Sequence, residues 1–196
     1  MKLTLSKKNS KMGNIMSVSF TPVVSCVPGV PCTTSCYAKK AYKVPNRPPV
    51  RKAWDGNYEF AMNDRNGFFD AINSELHGFR TPKKAFRWFV GGDIPDQAFV
   101  AGMDGIARDN KSTDFLVFTK NHGLDFQGLA PNLSVVLSMW PNWGNQNLND
   151  LPRAWMQDGT ETRIPEGAFQ CAHRCDSCFL CWHLRDRGRD VVFAKH

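Results

Sequence analysis

No acidic residue precedes Asp55, no cysteine lies in the 134 residues between Cys36 and Cys171, and no apolar run approaches a membrane span. Each absence excludes something. A spanning helix needs roughly 18 consecutive apolar residues, so no membrane partner is expected. Residues 1–13 lack the apolar core of a secretion signal, and a soluble, cytoplasmic protein is the expectation. Neither an internal repeat nor a low-complexity segment is present, and nothing in the composition points to disorder. Lys8, Lys11 and Gly13 could meet a phosphate, but the spacing of a phosphate-binding loop is missing. There is also no Ser-His-Asp order and no carboxylate pair on which to build hydrolytic chemistry.

The missing acids concentrate the charge. Ten of the 25 Lys and Arg residues fall before Asp55, whereas the rest of the chain holds 15 basic and 18 acidic residues. The formal net charge of +7 is therefore entirely N-terminal. A basic arm of this kind suits a phosphate-bearing partner, a nucleotide or a nucleic acid. Thiolates bound to iron would make the loaded protein less positive than the count suggests. Arg185, Arg187 and Arg189 read as a solvated turn.

What remains is ample for one domain. The 196 residues are 42% hydrophobic and include 14 Phe and six Trp. Apolar bursts alternate with helical stretches. Strands are expected at Ile15 to Phe20, Phe86 to Val90, Phe115 to Phe118, Leu133 to Met139 and Val191 to Phe193. Helices are expected at Cys36 to Tyr42, Val50 to Phe60, Gly67 to Phe79, Leu124 to Leu129, and from Pro95, used as a first helical residue, to Arg108. Val44 to Val50 reads as a short loop, and Trp140 to Glu166 as irregular. Strands separated by helices imply parallel βαβ units. The fold class is α/β, an incomplete (β/α) barrel or an open, curved parallel sheet of five to six βα units. In such sheets chemistry gathers at the carboxyl ends of the strands. The polar motifs fall there: the first cysteines, Gly91-Gly92-Asp93, Thr119-Lys120-Asn121, the SMWPN segment containing Ser138, and Ala194-Lys195-His196.

Seven cysteines, an odd number in two tight groups, argue for metal or redox chemistry rather than disulfides. Cys26, Cys32 and Cys36 follow the first strand with C-x5-C-x3-C spacing. Three thiolates can hold three irons of a [4Fe–4S] cube and leave the fourth open, whereas four-cysteine sites close the cluster. Cys171, Cys175, Cys178 and Cys181 form C-x3-C-x2-C-x2-C. That run is compact like a ferredoxin motif, and iron–sulfur is favoured over zinc, which usually gathers two separated knuckles. His173 and His183 lie close by and could replace a thiolate.

The Cys36-Tyr37-Ala38 signature, with two cysteines upstream of it, resembles radical S-adenosylmethionine (SAM) enzymes. FLVFTKN, LSVVLSMWPN and VVFAKH, together with that signature, are similar to a group of small phage-encoded relatives of those enzymes. The common spacing of the superfamily is C-x3-C-x2-C, from which the first group departs in both gaps. The resemblance implies a radical-SAM-like fold and a reduced cluster that cleaves SAM to methionine and a 5′-deoxyadenosyl radical. It also implies an external electron donor. Tyr37, Gly91, Gly92 and Asp93 are the implied cofactor contacts, with Asp93 accepting from the methionine ammonium; Lys120 and Ser138, at expected strand ends, are candidate contacts to cofactor or substrate by position. Asn121 and His122, beside Lys120, are weaker candidates, and Trp88, Trp140 and Trp143 could wall the site. By spacing alone, Cys171, Cys175 and Cys178 would be the SAM site; by position along the fold, the first group is preferred and the second is auxiliary. The competing expectation is a non-catalytic nucleic-acid-binding protein stabilised by iron–sulfur or zinc.

Overall fold

The structure is a computed structural model and describes residues 1–8, 11–43, 48–79, 84–140, 143, 147, 149–157 and 164–194. Residues 44–47 of the expected loop, Pro141 and Asn142 of the SMWPN segment, and Lys195 and His196 lie outside the described residues.

Seven strands form one sheet: β1 (Met16–Ser17), β2 (Ala85–Trp88), β3 (Asp114–Thr119), β4 (Leu133–Met139), β5 (Arg153–Gln157), β6 (Phe169–Gln170) and β7 (Val191–Ala194). Their spatial order is β1-β2-β3-β4-β5-β7-β6, and every neighbouring pair is parallel. The chain is thus α/β with an open, all-parallel sheet, compatible with the expected incomplete barrel or curved sheet. Three helices lead from β1 to β2: α1 (Tyr37–Lys43), α2 (Pro48–Asn63) and α3 (Arg65–His77). One, α4 (Gln97–Asp109), joins β2 to β3, and the short α5 (Cys175–Cys178) and α6 (Leu184–Arg187) lie between β6 and β7.

The two faces of the sheet differ in chemistry because side chains alternate along each strand. Phe86 and Trp88, Phe115 and Val117, and Leu133, Val135 and Leu137 point to one face, where they pack with Phe60, Phe68, Ile72, Phe99 and Met103 of the helices. The α4 residues Phe99, Val100, Met103, Ile106 and Ala107 supply the helical period that this packing requires. Ala85, Leu116, Val136 and Ala154 point the other way, toward Trp182, Leu184 and the C-terminal cysteines. The same alternation puts Ser17, Arg87, Ser134 and Ser138 on that second face. All seven residues of β4 are buried, as expected of a central strand covered on both sides.

Several expectations are corrected. β1 is regular only at Met16–Ser17, although Val18 N–H still donates to Arg87 O and Phe20 N–H to Gly91 O. Pro95 is not the first helical residue; Asp96 caps α4, its carboxylate accepting from Phe99 N–H at 2.9 Å. No helix forms at Leu124 to Leu129, where Asp125 instead accepts from Gln127 N–H in a local turn. The segment read as irregular contains β5, and β6 follows it.

Asp190 stitches β5 to the start of β7. Its carboxylate accepts from Arg153 N–H at 2.8 Å, Arg153 Nε at 3.0 Å and Trp155 Nε1 at 2.9 Å. Removing it leaves the part-buried Arg153 N–H and Trp155 Nε1 without their acceptor, whereas Arg153 Nε, on a side chain 38% exposed, can turn to water; an unsatisfied buried donor costs about 1–3 kcal/mol. Asp190→Ala is therefore expected to lower stability by at least about 2 kcal/mol in urea unfolding, with an unchanged slope. Parent-like stability would show that the stitch carries no weight.

Candidate functional site

The loop after β1 carries the first cysteine group, and it is tied down at both ends by one carboxylate. Asp55 of α2 accepts from Thr21 Oγ1 at 2.5 Å, ahead of Cys26, and from the Tyr42 hydroxyl at 2.8 and 2.9 Å, beyond Cys36. Between these anchors Ser25 and Cys26 turn back on Thr21 and Val23, and Pro31 opens a 3-10 turn, Pro31–Thr33, that holds Cys32. Cys36 precedes α1, and its Sγ accepts from Lys39 N–H at 3.4 Å. Val23 and Val24 are 36% and 66% exposed, and with the half-exposed Tyr37 ring they give the loop an apolar rim.

The turns after β2 and β3 close on this loop. Gly92 adopts φ +87°, and a Cβ there would lie 2.5 Å from Ser25 Oγ and 2.7 Å from Phe20 Cβ. At Gly91 a Cβ would meet the Trp54 ring at 2.8 Å. The close approach these glycines permit is thus to the protein's own chain. Asp93 is 1% exposed. It accepts from Thr119 Oγ1 at 2.6 Å, Ile94 N–H at 2.8 Å and Lys120 N–H at 2.8 Å. Three of the roughly four acceptor sites of a carboxylate are used. Asp93 therefore joins the ends of β2 and β3 through its own hydrogen bonds.

Lys120 reaches into the first cysteine group. Burial opposes its charge, but Asp93, then Cys32, Tyr37 and Cys26, outweigh burial and hold the ammonium above its usual value. Burial pushes the Cys26 thiol up to about 11 and raises Cys32 also, with Lys120 pulling both down. Cys26 and Cys32 feel each other, as do Cys32 and Cys36. The Tyr37 hydroxyl donates to Val90 O. Burial of that hydroxyl raises its pKa, against Arg87 and Lys120. Trp143 lies against Gly29 of the loop and donates to Lys120 O at 3.4 Å, and Trp140 pairs with Trp143. Trp88 does not wall the site: it is fully buried on the opposite face, its Nε1 without a partner. Ser138 is buried at the end of β4, and its carbonyl meets His122 Nε2 at 3.1 Å. Asn121 donates to Ile94 O.

The second group begins where β6 ends, with Cys171 N–H donating to Val192 O. Cys175 N–H donates to Lys11 O. Gly13, at φ +57°, leaves room for Asp176: a Cβ there would lie 2.2 Å from its Oδ2. The N-terminal turn is thus a brace for the cysteine segment rather than a phosphate cradle. Trp182 Nε1 donates to Phe86 O at 3.2 Å, and Ser134 Oγ to Cys181 O at 3.1 Å. Burial pushes Cys181 up to about 12 and raises Cys175, with Arg87 pulling both down. Cys178 is exposed. His183 faces Asp114 at 3.9 Å, and His173 N–H donates to Cys171 Sγ.

All seven thiols are free of disulfides. Among the described residues no three His, Cys, Asp or Glu side chains converge on a point that would hold a single metal ion. The donor set still suits an iron–sulfur cube, whose thiolates bind separate irons, and metal binding deprotonates even a raised thiol. The Asp55 clamp and Arg87 are the functional neighbours that sequence reasoning missed. An acid after 54 acid-free residues was the available signal for the first. An arginine inside the apolar run AFRWFV was the signal for the second.

If Asp93 is a strut, its removal costs stability. Asp93→Ala leaves buried N–H and hydroxyl donors without an acceptor, and about 2–3 kcal/mol should be lost in chemical unfolding. A fully stable Asp93→Ala chain would return Asp93 to the role of a free acceptor.

Comparison with known proteins places these features in a family. No curated protein and no solved structure matches the chain. A family model described as Gene product 88 matches residues 2–164, from the N-terminal brace through β5. The match contains the whole carboxyl-edge site from Cys26 to Trp143 and ends before Cys171. The chain belongs to the Gene product 88 family.

Proposed function

We propose that this chain is a radical SAM enzyme in which Cys26, Cys32 and Cys36 hold a [4Fe–4S] cluster with one open iron. Cys171, Cys175, Cys178 and Cys181 then hold an auxiliary cluster. One observation carries the reading: three free thiols share a clamped loop at the carboxyl edge of an all-parallel sheet, against the turns after β2 and β3. That edge is where open parallel sheets bind their ligands. The family is one of phage gene products, in keeping with the phage affinity of the motifs.

Bound there and reduced, the cluster supplies the electron that breaks a carbon–sulfur bond of SAM. The chain's own residues prepare the place. Asp55 fixes the loop ends, Gly91 and Gly92 let the loop seat closely, and Asp93 orients the Lys120 backbone. The Lys120 ammonium supplies a positive charge beside Cys32, toward which an anionic cluster or the SAM carboxylate would be drawn. Val23, Val24 and Tyr37 give the loop an exposed apolar rim, and Ser138 lies buried at the end of β4. The substrate we propose is a nucleotide or nucleic acid. Exposed Lys40 and Lys43 on α1, and Arg51 and Lys52 on α2, flank the loop with no acidic partner among the described residues. An external donor would reduce the cluster.

Anaerobic reconstitution should give a brown protein with about eight irons per chain if both groups hold cubes. Cys36→Ala should abolish SAM cleavage, and Cys178→Ala should lose half of the iron yet keep uncoupled cleavage. The inverse pattern would exchange the two sites, and a colourless, iron-free protein would end the reading. Nucleic-acid binding should weaken steeply with salt, and glutamate at positions 40, 43 and 52 should weaken it further with cluster spectra intact. Salt-independent binding would point to a neutral small substrate.

A further inference from the structure

We propose that Arg87 is a positioning residue shared by the two cysteine groups, whose charge raises the reduction potential of the cluster held by the C-terminal group. This rests on the iron–sulfur reading above. Arg87 stands in the middle of β2, in register with Ser17 on one side and Leu116 and Ser134 beyond, and it is the one charge in that row. Its guanidinium lies 4.2 Å from the centre of the Phe118 ring, and its Nε donates to Trp88 O. No carboxylate among the described residues pairs with it.

The cysteine groups reach β2 from opposite ends. Trp182, next to Cys181, donates to Phe86 O; Tyr37, next to Cys36, donates to Val90 O. The first contact falls inside β2 and the second two residues beyond its end, past Phe89 at φ +48°. Arg87 lies between them. Cys171, Cys175 and Cys181 pack into the same apolar cluster as Ala85 and Leu116, on the Arg87 face of the sheet.

A half-buried guanidinium with no carboxylate partner among the described residues is costly, and it does not escape by losing its proton. Burial does pull Arg87 below its usual value, against Tyr37, Cys181 and Cys175. Thiolates on a cluster reverse this: they bring negative charge to the side chains that Arg87 faces. The unpaired guanidinium is thus explained by the loaded state. A nearby positive charge favours the reduced, more negative cluster, so its removal lowers the potential.

The test uses the full chain carrying Cys36→Ala, which leaves only the C-terminal cluster. Iron and sulfide are counted after anaerobic reconstitution, and the midpoint potential is read by spectroscopic titration in Arg87→Met and Arg87→Lys. Arg87→Met should keep iron and sulfide while its potential falls by about 59 mV or more, a tenfold change in the one-electron equilibrium. Arg87→Lys, which keeps the charge, should recover most of the difference. Arg87→Gln gives the same reading if the methionine chain does not fold. An unchanged potential in a loaded, charge-free variant overturns the proposal, as does a fall in Arg87→Lys equal to that in Arg87→Met. A parent chain that takes up no iron or sulfide overturns the iron–sulfur reading itself, a result distinct from either.

Discussion

Parallel pairing is the constraint from which the site follows. When every strand runs the same way, every carboxyl end arrives at one edge, and each must be followed by a turn or loop there. In this chain the edge receives the cysteine loop after β1, the Gly-Gly-Asp turn after β2 and Lys120 after β3. Segments far apart in sequence become neighbours without a dedicated scaffold. Asp93 converts that proximity into a fixed geometry, since its oxygens bind the end of β3 while its backbone belongs to the turn after β2. Asp55 does the same for the loop, from a helix packed on the opposite face.

A parallel sheet also has two faces to cover. One is aromatic and is sealed by α2, α3 and α4. The other carries small and polar side chains, Ser17, Ala85, Ser134 and Ala154 among them, and Arg87. Small residues leave space, and the C-terminal segment fills it with Trp182, Leu184 and three half-buried cysteines. Burying Leu184 alone is worth about 1.5–3 kcal/mol. The piece of chain that covers this face therefore also carries the second cysteine group. Burial there raises Cys175 and Cys181, and Arg87 stands on the same face of the sheet.

The central strands were legible because their apolar runs are long: β2, β3 and β4 lie where the pattern puts them. The helices α2, α3 and α4 were legible from their period. β5 was not, because Arg153–Gln157 is half polar and follows a stretch rich in Asn and Trp; it is held by Asp190, a partner 37 residues away. Two residues of β6 carry no pattern at all. Leu124 to Leu129 has helical apolar spacing, but Asp125 satisfies Gln127 N–H locally and the helix never nucleates. At the site, the gathering of Cys26, Asp93 and Lys120 followed from strand ends. What Asp93 and Gly13 touch did not, because both serve contacts with distant segments, Thr119 and Asp176.

Spacing and position point to different cysteine groups, and the proposed assignment to the first is supported by how the two are packed. The common three-cysteine spacing belongs to Cys171, Cys175 and Cys178, but that segment is braced by Lys11 and Gly13 and wedged against the sheet by Trp182. Its fourth cysteine, Cys181, packs in an apolar cluster, and four thiolates on a cube would leave no iron open. The first group has three cysteines and no fourth. Its longer gap is taken up by Pro28, Gly29 and a 3-10 turn, while the loop ends stay where Asp55 holds them. Extra residues between clamped ends lengthen the arc without moving its feet, so an unusual spacing is compatible with an ordinary placement of ligands. The exposed rim of Val23, Val24 and Tyr37 leaves this loop accessible from outside. A cofactor that must enter, react and leave is better served by the group at the open edge than by the one built into the core.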